Sequence, residues 1–404
     1  MTIENRIKKI TFYIKSIMKC FNFKSVAAAS ICAAALIACQ KEQENNNRNN
    51  GTELKGYVTE DLTLEAGKTY ELAGSLQVKA PATLTIGAGA TVIAKDNGEI
   101  NYILIEQGAK IHAVGTKDAP IVLTAERKEN GAWGGVHICG RAHSNAGTNN
   151  TSEIGNAPYG GNVENDNSGV MKYVRIEYSG YALDSEHEAN GLSLYGVGNG
   201  TSLSYIQCIN GSDDGIEFFG GSVNIDHCVI IDCTDDSFDW TEGWNGNGEW
   251  LVAYQSDHSC DCLFECDNNG KAIDATPVSN PKLDHVTLVG NNSKDTAKGI
   301  RLRAGTRANF SNTLVCGKPN PIVIETEPTV KSFVSGESKF SNVIISGKIK
   351  SDAKVSEAYT DDMFTQSGKN KTDTEITLKS RFIGTVDGAG AVPQDNDWTA
   401  GWTK

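Results

Sequence analysis

The chain has 404 residues, of which 42 are glycine and 9 proline, with 39% hydrophobic and 22% charged residues; this composition excludes collagen, coiled coil, a membrane bundle and a chain too polar to fold. Formal net charge is −13, and removing residues 1–38, with six basic residues and one acid, leaves −18. Such a surface disfavours nucleic acid and anionic lipid as partners, and leaves neutral glycans, metal cations and cationic ligands open.

Residues 1–38 read as a secretory signal: Met18-Lys19 and Lys24 supply charge ahead of an apolar, Ala-rich run from Val26 to Ala38. The run closes on Leu36-Ile37-Ala38-Cys39, which resembles a bacterial lipobox. Lipidation of Cys39 is therefore expected, each buried CH₂ contributing about 0.8 kcal/mol to membrane attachment. Residues 39–52 are polar and Asn-rich, a tether. Within it Gln40-Lys41-Glu42 resembles the surface-export signal of Bacteroidota lipoproteins, which implies an outer-membrane protein held by its lipid and displayed on the cell surface.

From residue 53 to 345 the pattern is short alternating strands broken by Gly, Asn and Asp, an all-β signature. Ser204 to Phe218 lies over Asp226 to Trp240 at a constant offset of 22, apolar on apolar and Asp213-Asp214 on Asp235-Asp236. The unit Gly-φ-x-φ-x-Gly, with φ apolar, recurs at Gly135, Gly191 and Gly215, and at Gly299 with Ala304 as the last small residue. A repeat of about 22 residues containing two or three strands is one coil of a right-handed parallel β-helix, and some thirteen such coils are expected. Gly89 to Ile93 and Gly108 to His112 are expected to form narrower coils, 19 residues apart. A β-propeller would need blades of about 40 residues. The coil around Leu54 to Leu72 is expected to close one end, and residues 346–404, which lose the repeat, to cap the other.

In such a coil the φ side chains point inward, and each x position forms an outward column. One column is expected to run His137, Ser193, Glu217, Asp239 and Arg301, with Asp274 joining it; its neighbour runs Cys139, Tyr195, Phe219, Thr241 and Arg303. Beside them Asp213 stacks on Asp235 and Asp214 on Asp236, continuing to Asn268 and Asn269. Two carboxylates about 5 Å apart repel by about 3 kcal/mol at an effective dielectric of 20. Three arrangements answer that repulsion. Turn N–H groups donate to the acids; or Asp213, Asp214, Asp235 and Asp236 hold Ca²⁺, with Glu217 or Asp239; or Asp213, Asp214, Glu217, Asp239, Arg301 and Arg303 are catalytic, as a glycosidase carboxylate pair or a lyase site.

Asp213 to Asn224, then Asp235 to Trp244, with Trp133-Gly-Gly-Val136 upstream, resemble a group of Bacteroidota β-helix lipoproteins of unassigned activity with a pectin-lyase-like fold, over about residues 55–402. More distantly, Gly211-Ser-Asp-Asp-Gly215 and Gly299-Ile-Arg-Leu-Arg303 resemble motifs of polygalacturonases. That likeness implies Asp213 and Asp214 as acid and base, and Arg301 and Arg303 as substrate clamp. The Gly-His-Gly those enzymes carry between the two motifs is missing from this sequence.

After Cys39, eight cysteines remain, an even number that permits disulfides in an exported chain. Cys233 and Cys266 are expected to stack inside the coils, and His258-x-Cys260-x-Cys262-x₃-Cys266 offers a weaker metal pattern. His227 and His285 occupy equivalent Asp-His units. Trp244 sits beside a Gly/Asn-rich insert, Glu242 to Glu249, and is expected to be exposed as a sugar-stacking platform. A second such insert, His143 to Asn167, leaves the coils. Asp295-Thr296-Ala297 resembles a Bacteroidota O-glycosylation site. Together these features predict a surface lipoprotein binding an extracellular glycan through Tyr195, Phe219, Trp244 and Arg301, with Ca²⁺. An outer-membrane importer is the expected partner complex, and an enzyme or an adhesive protein are the competing readings.

Overall fold

In the computed structural model the described residues are 51–147, 149–182, 189–256, 260–291, 297–352 and 354–404. The lipobox, His258 and the Asp295-Thr296 pattern lie outside them. The described residues form one compact unit, in which 24 strands join a single hydrogen-bonded network whose pairs are all parallel, a right-handed parallel β-helix. Among the described residues no helix is long and apolar enough to cross a membrane.

The offset of 22 is seen where Ile216 pairs with Phe238 and Ile300 with Ile322. It is one spacing among several: Glu53 pairs with Glu71 and Gly56 with Leu76, offsets of 18 and 20, and later steps are longer. Leu192 pairs with Ile216, Phe238 with Phe264 and Phe264 with Ile300, offsets of 24, 26 and 36, and the insert after Cys139 stretches the Val136–Leu192 step to 56. Swollen coils mean fewer of them: one face carries eleven successive strands, from Glu53–Val58 to Ile349–Ser351, against the thirteen expected. The two upstream segments 19 residues apart are not successive coils. Thr91–Ala94 pairs with Thr69–Val78, whereas Lys110–Val114 pairs with Thr83–Ile86, so they lie on different faces.

Inward side chains form the core: Ile216, Phe218, Phe238, Trp240 and Phe264 are fully buried, with Phe238 and Phe264 stacked at 4.7 Å. Burying each such side chain contributes about 1.5–3 kcal/mol. The glycine heading the repeated unit is required by the approach of the next coil. A Cβ on Gly215 would stand 2.5 Å from the Ser237 carbonyl oxygen, and one on Gly299 2.4 Å from that of Pro321.

A corner between two strand faces is built by residues at positive φ: Tyr173, Tyr205, His227, Trp250 and His285, with φ of 52 to 56°. Non-glycine residues there carry a conformational cost. Ring stacking offsets it, at centroid spacings of 4.4, 4.5, 5.9 and 4.1 Å along the column. His227 and His285 are thus repeat positions, as their spacing indicates.

The tail does more than close the end. The strand Ile349–Ser351 is still coil, and the helix Asp361–Gln366 sets Phe364 against Phe340 at the last turn. Residues 382–402 then return alongside the coils, where Phe382, Val392 and Trp402 cover Ile209, Val229, Ile231 and Val252. The Asp-Trp-x-x-Gly-Trp likeness of 397–402 to 239–244 ends in different places: Trp244 is inside the coil and Trp402 outside it, edge-on to Tyr173 and Tyr205.

Candidate functional site

The outward column reads His137, Ser193, Glu217, Asp239, Glu265 and Arg301. Glu265, in Phe264-Glu265-Cys266, holds the rung that Asp274 was expected to fill; Asp274 is exposed in the long turn after it. The φ-acid-φ pattern shared with Ile216-Glu217-Phe218 and Phe238-Asp239-Trp240 marks Glu265 in the sequence, at a spacing a strict 22-residue search passes over.

The upper half of this column does not face solvent. His137, Ser193 and Tyr195 are at most 1% exposed and Phe219 7%, because the insert after Cys139 lies over them. Tyr102, Leu104, Ile154, Ala157 and Tyr159 join Cys139, Tyr195 and Phe219 in a second apolar cluster. Tyr195 stacks on Phe219 at 4.4 Å. Neither ring is free to receive a sugar face. Burial lowers the His137 pKa to about 4, so the imidazole is neutral, its Nε2–H donating to the Gly134 carbonyl oxygen.

Trp244 is not exposed as its sequence context suggests. It is fully buried, stacks on Phe218 at 3.9 Å and donates from Nε1 to the Val223 carbonyl oxygen. Its glycine-rich neighbourhood lets the backbone fold the indole into the coil rather than away from it.

The insert runs forward over later coils and walls a cleft. Ser144 Oγ donates to Glu242 at 2.6 Å, the His143 ring nitrogen Nε2 meets the Gly243 carbonyl at 2.7 Å, and the Asn145 amide bonds Asn268 and Pro277 at 2.9 Å. Glu242 also accepts from the Tyr159 hydroxyl at 2.8 Å. The cleft, about 570 Å³, is lined by Glu217, Asp239, Glu242, Asp267, Tyr159 and Lys271, among others. Glu217 and Asp239 are half-buried on adjacent rungs. One oxygen of each, with one of Asp214, lies within 4.8 Å of the others. Asn190, 1% exposed, donates to Glu217 Oε2 at 2.6 Å, while Asp239 Oδ1 has no hydrogen-bond partner.

Burial, then the facing Asp239, holds the Glu217 carboxyl well above its ordinary range; burial, then Asp236, Glu265 and Asp267, does the same for Asp239 against the opposing Arg303. Asp214 and Asp236 are raised for the same reasons. An acid whose folded pKa is raised binds protons more readily folded than unfolded, so its stabilising contribution is complete at low pH and is lost as pH rises through the folded value. Asp239→Asn is therefore expected to raise the thermal midpoint, more at pH 8 than at pH 5, in paired melting curves; an equal shift at both would contradict it. A carboxylate kept at a cost to stability is a mark of function.

The stacked aspartates are answered from within the chain. The Asp236 N–H donates to Asp214 Oδ1 at 2.9 Å, and the Cys262 N–H to Asp236 Oδ1 at 2.6 Å. Asp235-Asp236 therefore continues to Asp261-Cys262, not to Asn268-Asn269, which belong to the following turn. Beneath them Lys318, 2% exposed, donates from Nζ to the carbonyl oxygens of Cys260 at 3.3 Å and Asp261 at 2.6 Å. Gly290 makes room for its stem, since a Cβ there would come within 2.6 Å of it. Nothing in the local sequence marks Lys318 as buried. Among the described residues, besides Asp214 with Glu217 and Asp239, two further oxygen clusters could gather a divalent ion, Asp213 with Asp214 and Asp235, and Asp235 with Asp236 and Asp261.

Arg301 and Arg303 form no open clamp. Arg301 pairs with Glu265 at 2.7 Å and Glu325 at 3.2 Å, and Arg303 with Asp267 at 2.8 Å and with Glu265. Their charge is spent on the acids of the adjoining rungs.

The eight described cysteines are free thiols, seven of them buried. Burial pushes Cys228 and Cys233 up to about 12 and Cys266 well above its usual value, so they act as small apolar fillers. Cys266 pairs in register with Trp240 and Leu302 rather than stacking on Cys233, because Cys266 lies within a strand, whereas Cys233 lies in the turn that precedes the strand Phe238–Thr241.

A family model described as a pectate-lyase-like β-helix domain matches residues 56–403. Curated proteins and solved structures give no match.

Proposed function

The chain belongs to the pectate-lyase-like β-helix family, and from that premise we propose that it binds an extracellular glycan in the cleft between the insert and the Glu217–Asp239 rungs. The observation that supports this reading is the cleft itself. It is a walled groove of about 570 Å³ with convergent acids, amides and a tyrosine hydroxyl, the kind of lining that orients a polyhydroxylated ligand. On this reading the chain is a Bacteroidota surface lipoprotein acylated at Cys39, held at the outer membrane through that lipid, and a glycan importer is its natural neighbour. Ca²⁺ fits Asp213, Asp214 and Asp235, whose oxygens lie within 4.8 Å of one another.

Cleavage is a second reading, favoured by the carboxylate spacing. Oxygens within 4.8 Å come near the roughly 5–5.5 Å separation of retaining glycosidases. One carboxyl of the Glu217–Asp239 pair would carry the proton as the acid, and its ionised neighbour would be the base or nucleophile.

Glycan-array binding of the purified chain, with and without chelator, tests both. Binding is expected to fall ~10-fold or more in Glu242→Ala, which removes the acceptor of Ser144 and Tyr159 in the wall. An array without a single bound glycan would remove the first reading. Product release that survives Glu217→Gln with Asp239→Asn would remove the second.

A further inference from the structure

We infer that the cleft is built for a cationic glycan, an oligomer of hexosamine units with free amino groups, and not for the polyuronate that the family description suggests. This deepens the glycan-binding reading and rests on it. Four carboxylates line the cleft, those of Glu217, Asp239, Glu242 and Asp267, against the single ammonium of Lys271. The two guanidinium groups nearby are already paired, Arg301 with Glu265 and Glu325, Arg303 with Asp267 and Glu265. An entering uronate is repelled by whichever of these acids are ionised and resists their ionisation, whereas an ammonium is attracted to them and favours it.

The acceptors differ in what they have left to offer. Glu242 Oε2 is occupied by Ser144 and Tyr159, whereas Asp239 Oδ1, itself buried, accepts no hydrogen bond and leaves the Asp239 carboxyl uncompensated at the cleft wall. An ammonium brings three donors. Asp213, Glu153 and Asn190 face Glu217, and Asp236, Glu265, Asp267 and Arg303 face Asp239. In this mostly acidic surround both carboxyls hold their protons beyond the ordinary range. Pairing with an ammonium draws them into the ionised form, so binding releases protons.

Isothermal calorimetry of the purified chain at about pH 6, where a free amino group is charged, tests this with equal-length oligomers of glucosamine, N-acetylglucosamine and galacturonic acid. The glucosamine oligomer is expected to bind ~10-fold or more tightly than the acetylated one. Its apparent enthalpy should change between buffers of different ionisation enthalpy, the signature of released protons, and its affinity should fall with added salt. Asp239→Asn, which is expected to melt no lower than the parent, should narrow the gap between the two. Equal affinity for the acetylated and free-amino oligomers, or tighter binding of galacturonate, overturns the charge assignment while leaving glycan binding intact. No binding of any of the three overturns both.

Discussion

Replacing Trp244 by alanine is expected to lower the unfolding free energy by about 3–5 kcal/mol, read as a fall in the urea midpoint at unchanged slope. The indole is fully buried, rests on Phe218 at 3.9 Å and anchors the Val223 carbonyl. Its removal opens a cavity inside a coil whose neighbours are held by rung hydrogen bonds and have little freedom to collapse. Trp244→Phe keeps the stacking and loses the Nε1 bond, so a smaller drop is expected. A surface platform would behave oppositely: ligand affinity would fall and the midpoint would stay where it was.

Lys318→Met should rank with it, at about 3–5 kcal/mol, the cost of removing one partner from a buried charged arrangement. Methionine fills the space of the stem, so the loss isolates the ammonium. Without that group the Cys260 and Asp261 carbonyl oxygens lose a donor, and Asp236 and Asp261 lose the cation beside them. Combined with Asp236→Asn, the loss is expected to be smaller than the two single effects added together, because one carboxylate no longer needs compensation. Thermal melting of the three variants decides it; strict additivity would mean that Lys318 does not act on Asp236.

Why some of this was legible in the sequence and some was not follows from where the information sits. The coil is a local rule repeated in register. Gly215-Ile216-Glu217-Phe218 needs a glycine because the next carbonyl occupies the Cβ position, and apolar side chains at alternate places because they face inward, so the parallel β-helix could be read from one comparison of two segments. The adjacency of Glu217 and Asp239 came with it. Departures from the rule were invisible to the same comparison. Arg301 follows Glu265 by 36 residues, which hides Glu265 from the column and puts Asp274 in its place. Exposure was misread wherever a distant segment lies over a coil: Tyr195 and Phe219 point out of their own strands, and it is the insert from another coil that buries them. Lys318 is the extreme case, a lone lysine in a Gly-Lys-Pro turn whose burial depends on Gly290 and on backbone oxygens more than 50 residues away.

The returning tail alters how the coils come apart. In an array where each repeat touches only its neighbours, unfolding starts at an end and proceeds coil by coil, with low contact order and weak cooperativity. Here the Ala391 N–H donates to Thr287 Oγ1, the Lys404 N–H to Gln207 Oε1 and Lys404 Nζ to Glu177, links spanning 104, 197 and 227 residues. The last coils therefore cannot fray without releasing a segment fastened to the middle of the stack. The tail converts a one-dimensional series into a structure whose distal and central coils are lost together.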